Sequence, residues 1–150
     1  MADRRYFDAG VFVTPILKNR PAAILESCEA WLRRCAAGEV DGVTSWLTWD
    51  EVTWIAGRVV GHSYAPERAR RAGELLLALP GVTFVDVDAV VAREAQRLLT
   101  ATRWRPRDCL HAAAALIHAA GSLVTLDADY ARRTRQVAGV GLRVVMLGST

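Results

Sequence analysis

"LVTLDADYA", residues 123–131, is the stretch on which the fold reading turns. Four mostly apolar residues have the length and composition of a short buried strand. Two carboxylates, Asp127 and Asp129, follow at once, and a helical pattern begins near Tyr130. A strand that stops in acids and passes into a helix is one unit of an alternating α/β chain. A second stretch, "VTFVDVDAV" at 82–90, has the same form with Asp86 and Asp88. The local pattern alone therefore decides nothing about which acidic pair carries chemistry.

Working outward, the same alternation covers the chain. "RYFDAGVFV" (5–13) begins with a strand over about Arg5 to Asp8, and Pro15 is placed to open a helical region. "PAAILESCEAWLRRCAAG" (21–38) has helical spacing and stops at Gly38. A strand near Gly42 to Ser45 precedes the helical "LTWDEVTWIAGRVVG" (47–61), and "APERARRAGELLLAL" (65–79) is a further helix stopped by Pro80-Gly81. "VTFVDV" (82–87) is a strand, and "DAVVAREAQRLLTAT" (88–102) and "RPRDCLHAAAALIHAAG" (105–121) are helices. "SLVTL" (122–126) and "LRVVML" (142–147) are strands on either side of the helical "DADYARRTRQ" (127–136). Five short strands separated by helices predict one α/β/α sandwich spanning residues 1–150 around a mainly parallel sheet.

Composition narrows the class. Just over half of the 150 residues are hydrophobic, which suits a globular domain with a real core. No apolar run approaches the roughly 18 residues of a membrane span, and the acidic, interrupted N-terminus does not read as a signal peptide. A cytoplasmic chain is expected. Cys28, Cys35 and Cys109 are odd in number and form no C-x-x-C pair, so buried free thiols are expected rather than a disulfide or zinc framework. Of the 19 basic residues, all but Lys18 are arginine, and they gather at 66–73, 102–108 and 131–136. Arginine clusters of this kind suit phosphate and nucleic acid, with ordinary solvated helix faces as the alternative for any one of them.

In a parallel sheet the ligand site lies beyond the carboxyl ends of the strands. Asp8 ends the first strand and Asp127 the fourth, so both should reach one rim. Each candidate acid also has a plainer reading. Asp8 could bond its own turn, Asp108 could cap the following helix, and Thr48 with Glu51 could form a capping box. Asp127 or Asp129 could cap the last helix, and Asp88 is placed to cap 89–99. Acids crowded on one rim repel unless a divalent cation neutralises them. An all-oxygen set points to Mg²⁺, with Mn²⁺ as the alternative. His111, one turn after Asp108, could face a substrate, although a packed helix histidine is the commoner case. Trp46, Trp49 and Trp54 read as core or dimer-interface residues.

The order of motifs resembles the PIN-domain nucleases over nearly the whole length. "YFDAGVF" is similar to that family's first strand with its acid, here Asp8. "TSWLTWDEV" is similar to the second motif, with Glu51. "RDCLHAAAAL" is similar to the third, with Asp108, and "LVTLDADY" to the fourth, with Thr125, Asp127 and Asp129. Gly10 stands where the family often carries Ser, Thr or Asn. Tyr130 replaces the usual Phe. The resemblance implies a Mg²⁺-dependent endoribonuclease, with Asp8, Glu51, Asp108 and Asp127 as catalytic and metal-binding acids and Asp129 in support. Arg103, Arg105, Arg107 and Thr125 would contact RNA. Short stand-alone chains of this family resemble the toxins of type II (VapBC) toxin–antitoxin pairs, which implies a homodimer and a cognate antitoxin. The alternatives are a PIN-fold interaction module with weak or no catalysis, and an RNA-processing PIN nuclease that is not a toxin.

Overall fold

Tyr6 and Phe7 are neighbours in sequence, fully buried, and belong to two different cores. Successive strand residues point to opposite faces, so a strand covered on both sides divides its side chains in this way. The computed structural model describes residues 2–58, 61, 63–119, 121–134 and 140–148, with backbone alone at 133 and 134. The elements run β1 (Asp3–Phe7), α1 (Ala9–Leu17), α2 (Ala22–Ala36), β2 (Val40–Ser45), α3 (Trp46–Arg58) and α4 (Pro66–Leu77). They continue with β3 (Val82–Val85), α5 (Ala89–Ala101), α6 (Pro106–His118), β4 (Ser122–Thr125), α7 (Ala128–Thr134) and β5 (Arg143–Met146). The five strands form one sheet in the order β3-β2-β1-β4-β5, and every pairing is parallel. The α/β/α sandwich expected from the sequence is the fold observed.

Phe7 and Val124 face the layer of α1 to α4, where Phe12, Cys28, Val52 and Leu76 pack. Tyr6, Val43 and Leu123 face α5 and α6, with Val91, Leu98 and the alanines of α6. Ala112 to Ala115 are four consecutive residues with no exposed surface, so α6 is enclosed on all sides at this turn. Short side chains are what permit it to lie against α5, β1, β2 and β4 together. Enlarging Ala113 to leucine would overpack this layer, at a cost of about 1–3 kcal/mol. All three cysteines are free and buried.

Several boundaries shift by a few residues from the sequence reading, and two of the shifts bear on the site. α1 starts at Ala9, directly after Asp8, and Pro15 lies inside it rather than at its start. The side chain of Asp8 and the apolar run Val11–Val13 are sufficient to begin the helix early. α3 starts at Trp46, so Thr48 is already helical and cannot cap it. Its hydroxyl instead accepts a hydrogen bond from Thr44 Oγ1 at 2.7 Å. Gly81 has φ +74°, and a Cβ there would sit 2.0 Å from the carbonyl oxygen of Cys35, so only glycine admits the chain into β3 at this point.

Candidate metal centre

The carboxyl ends of β1 and β4 are tied together by side chains. Asp8 caps α1, with Oδ1 accepting from the Ala9 N–H at 2.8 Å. Its Oδ2 accepts from Thr125 Oγ1 at 2.7 Å, and that hydroxyl accepts in turn from the Asp127 N–H at 3.0 Å. Asp127 Oδ1 accepts from the Asp129 N–H at 2.8 Å, which turns the chain into α7. The turn-forming reading of Asp8 and the capping reading of Asp127 are therefore both met. Neither uses all of the carboxylate.

Glu51, on the second turn of α3, comes to the same rim from the other side. It meets the imidazole of His111: Nε2 lies 3.0 Å from Glu51 Oε2 and 3.7 Å from Asp8 Oδ1. A donor atom from each of Asp8, Glu51 and His111 falls within 4.8 Å of the other two. The side chain of His111 is 2% exposed, against 13% for Glu51 and 14% for Asp8. Its other nitrogen, Nδ1, is 2.7 Å from the Tyr6 hydroxyl, which is 2.8 Å from Ser45 Oγ. Burial alone would push the imidazole down; the Tyr6 hydroxyl, the bond to Glu51 and the charge of Asp8 outweigh it and hold His111 well above its ordinary range.

Asp108 lies at the third position of α6, where Oδ2 accepts from the Arg105 N–H at 3.3 Å. Burial holds its carboxyl above the usual range, the Arg105 bond opposes this, and the charges of Asp127 and Asp8 add to the rise. Tyr130 donates to the Asp108 carbonyl at 3.3 Å. Burial first, then the charges of Asp8 and Asp108 and, more weakly, of Asp127, raise its phenol well above its ordinary value. The charges of Asp8 and Asp127 thus reach Asp108 across one rim. Asp129 is turned toward Arg132, 2.6 Å away on the same helix.

Of the expected RNA contacts, Thr125 is buried and serves Asp8. Arg103, Arg105 and Arg107 are exposed around the start of α6. Arg107 reaches back to Asp50 at 3.3 Å and Glu51 at 3.4 Å, which places a guanidinium at the mouth of the acidic rim. The cluster at 131–136 falls partly outside the described residues.

The second acidic pair is structural. Asp88 accepts from the Val90 and Val91 N–H groups and caps α5, and Asp86 accepts from Trp46 Nε1. The three tryptophans of α3 are not core: Trp46, Trp49 and Trp54 are 48%, 42% and 50% exposed. Trp46 stacks on Phe84 and Trp54 on Tyr64.

Sequence reasoning passed over Tyr6, and it read His111 as facing a substrate or packed in its helix rather than as a donor beside Asp8 and Glu51. The signal was the spacing Asp108-x-x-His111, which sets the two on one face of a helix. A nitrogen atom thus stands beside the oxygen donors expected from sequence. Two partly buried carboxylates and one imidazole are a set that can hold a divalent ion.

The PIN domain model matches residues 5–136, and the chain belongs to the PIN domain family. No curated protein sequence matches the chain. Its fold is similar to that of a chain in VapBC2 from Rickettsia felis bound to a promoter DNA fragment, with TM-score 0.66 and 15% identity over 96% of this chain and 98% of that one. DNA-bound VapBC from Salmonella typhimurium gives TM-score 0.61 and 21% identity over 97% and 98%. A toxin–antitoxin complex from Klebsiella pneumoniae gives 0.60 and 19% over 95% and 96%. Among the described residues no helix is long and apolar enough to cross a membrane.

Proposed function

We propose that this single PIN domain is a cytoplasmic metal-dependent endoribonuclease and the toxin of a type II toxin–antitoxin pair. The observation that carries the reading is the meeting of Asp8 and Glu51, with Asp108 and Asp127 within charge range, at the carboxyl edge of the sheet. Asp8 and Glu51 would hold one side of a divalent ion, Mg²⁺ or Mn²⁺, with Asp108 and Asp127 closing the other and Asp129 behind them. Such an ion, when bound, eases deprotonation of water and offsets the charge that builds on a phosphodiester under in-line attack. Thr125 keeps Asp8 in one orientation through its 2.7 Å bond. Arg103, Arg105 and Arg107 would receive the RNA backbone, where a planar guanidinium matches phosphate.

Thr125 also supplies the hydroxyl that Gly10 lacks, which favours a working nuclease over a purely structural module. The toxin assignment draws on the fold likeness to VapBC complexes. A cavity of about 740 Å³ between α1, α3 and α4, lined in part by Ile16, Leu17, Ala56 and Leu75, suits an apolar segment of an antitoxin. The exposed tryptophans of α3 suit a homodimer contact.

The test is cleavage of total RNA by the purified chain with Mg²⁺, with EDTA, and by Asp8→Asn. Cleavage only in the first condition supports the proposal. Equal cleavage in EDTA rules out the metal mechanism. Cleavage with no inhibiting partner encoded beside the gene supports an RNA-processing nuclease instead.

A further inference from the structure

We propose that His111 is a nitrogen donor to the divalent ion, through Nε2, and that the site therefore prefers a first-row transition ion such as Mn²⁺ to Mg²⁺. This rests on the metal reading above and goes beyond its carboxylate ligands.

The geometry is that of ligands around an ion. Adjacent donors on a six-coordinate ion with bonds near 2.1 Å stand about 3.0 Å apart. Nε2 lies 3.0 Å from Glu51 Oε2 and 3.7 Å from Asp8 Oδ1, so small shifts bring three donors onto one centre. The imidazole is also held as a ligating histidine is held. A metal-bound histidine characteristically donates its second N–H to a fixed polar partner, which sets ring tautomer and aim. Nδ1 has such a partner in the Tyr6 hydroxyl at 2.7 Å, anchored by Ser45 Oγ at 2.8 Å, both within the core. With Nδ1–H donating to Tyr6 and Tyr6 donating to Ser45, the lone pair of Nε2 points between Asp8 and Glu51. The proton that Nε2 shares with Glu51 without an ion leaves to solvent as the ion enters. Imidazole nitrogen suits first-row transition ions, whereas Mg²⁺ is a hard, oxygen-seeking ion. The competing reading is that His111 only hydrogen-bonds Glu51 and orients it.

Pulsed electron paramagnetic resonance of bound Mn²⁺ separates the two without an activity assay. The expected result is a ¹⁴N coupling that changes to the ¹⁵N pattern when the unaltered chain carries ¹⁵N-histidine. It should survive His62→Gln and His118→Gln and vanish in His111→Gln. Direct titration should show His111→Gln weakening Mn²⁺ at least about tenfold, with Mg²⁺ changed less. Mn²⁺ bound with no nitrogen coupling overturns the proposal and leaves the carboxylate site standing. Failure of the unaltered chain to bind either ion at millimolar concentration overturns both. Should His111→Gln not fold, the labelled native chain still decides.

Discussion

Replacing Tyr6 by phenylalanine tests the buried polar chain behind the acidic rim. The ring stays, so the change removes one oxygen from a residue with no exposed surface. That oxygen holds two contacts, 2.8 Å to Ser45 Oγ and 2.7 Å to His111 Nδ1. Each intramolecular hydrogen bond is worth about 1 kcal/mol net, and each buried group left without a partner costs about 1–3 kcal/mol. Ser45 is buried and His111 nearly so, so water cannot readily serve either. The expected loss is about 2–3 kcal/mol. In a chain of this size about 1 kcal/mol moves the midpoint by roughly 2–4 °C, so Tyr6→Phe should melt about 4–12 °C lower. Urea titration at neutral pH without divalent ions gives the free energy directly. A cycle with Ser45→Ala apportions it: the serine change should cost about 1 kcal/mol less in the Tyr6→Phe background. A loss below about 0.5 kcal/mol with strictly additive variants would falsify the idea that Tyr6 bridges the two elements.

Four further outcomes are expected. Asp108→Asn without metal should be as stable as the native chain or more so near neutral pH. Burial and neighbouring carboxylates raise the folded pKa of Asp108, so its contribution is present below the unfolded value and lost as pH rises through the folded one. Native and variant urea stabilities, compared from pH 4 to 7, should therefore diverge in favour of the variant as pH rises, and a large loss instead would mean that the helix-start role dominates. Asp8→Asn should slow RNA cleavage at least about a hundredfold, since removing one charge from the metal site forfeits roughly 3 kcal/mol of transition-state stabilisation. Asp88→Ala should cost about 1 kcal/mol through the lost cap of α5 and leave the cleavage rate unchanged, as melts and rates on one preparation will show. In a complex with the antitoxin, an inhibitory arginine or lysine among the acids should, on change to alanine, release RNA cleavage more than it weakens binding. Full inhibition by an antitoxin stripped of every such residue would place its action elsewhere.

The order of elements was legible because strand and helix differ in period and because Gly38, Gly61, Gly81 and Gly121 mark the breaks, each with positive φ. The shared rim of Asp8 and Asp127 was legible because parallel strands deliver their carboxyl ends to one edge. What escaped was set by tertiary contact. Tyr6 reads in sequence as another apolar strand residue, and only its partners across the layer reveal its hydroxyl as a link. His111 sits in an alanine-rich helix whose enclosed side is not marked by periodicity, since nearly all its neighbours are apolar. Thr48 and Glu51 have the spacing of a capping box, but the helix begins at Trp46, and a hydroxyl inside a helix has no free N–H group to cap. For the tryptophans the sequence left core and dimer interface both open, because residue type does not say which face of α3 turns to the sheet.

The bond from Thr125 to Asp8 joins residues 117 positions apart, and β1 at the centre of the sheet waits for β4 as its second neighbour. A polypeptide leaving the ribosome from its N-terminus can pair β1 with β2, and β2 with β3, long before β4 exists. During most of its synthesis Asp8 has neither the hydroxyl that orients it nor the acids of α6 and β4 opposite. For the proposed nuclease, the order of translation would then act as a safety catch: the ribosome and message that make the chain would be spared until its last strands emerge. Ribosome-bound chains arrested just before Ser122 should leave added RNA intact, while those arrested with an extension that clears β5 from the exit tunnel should cut it.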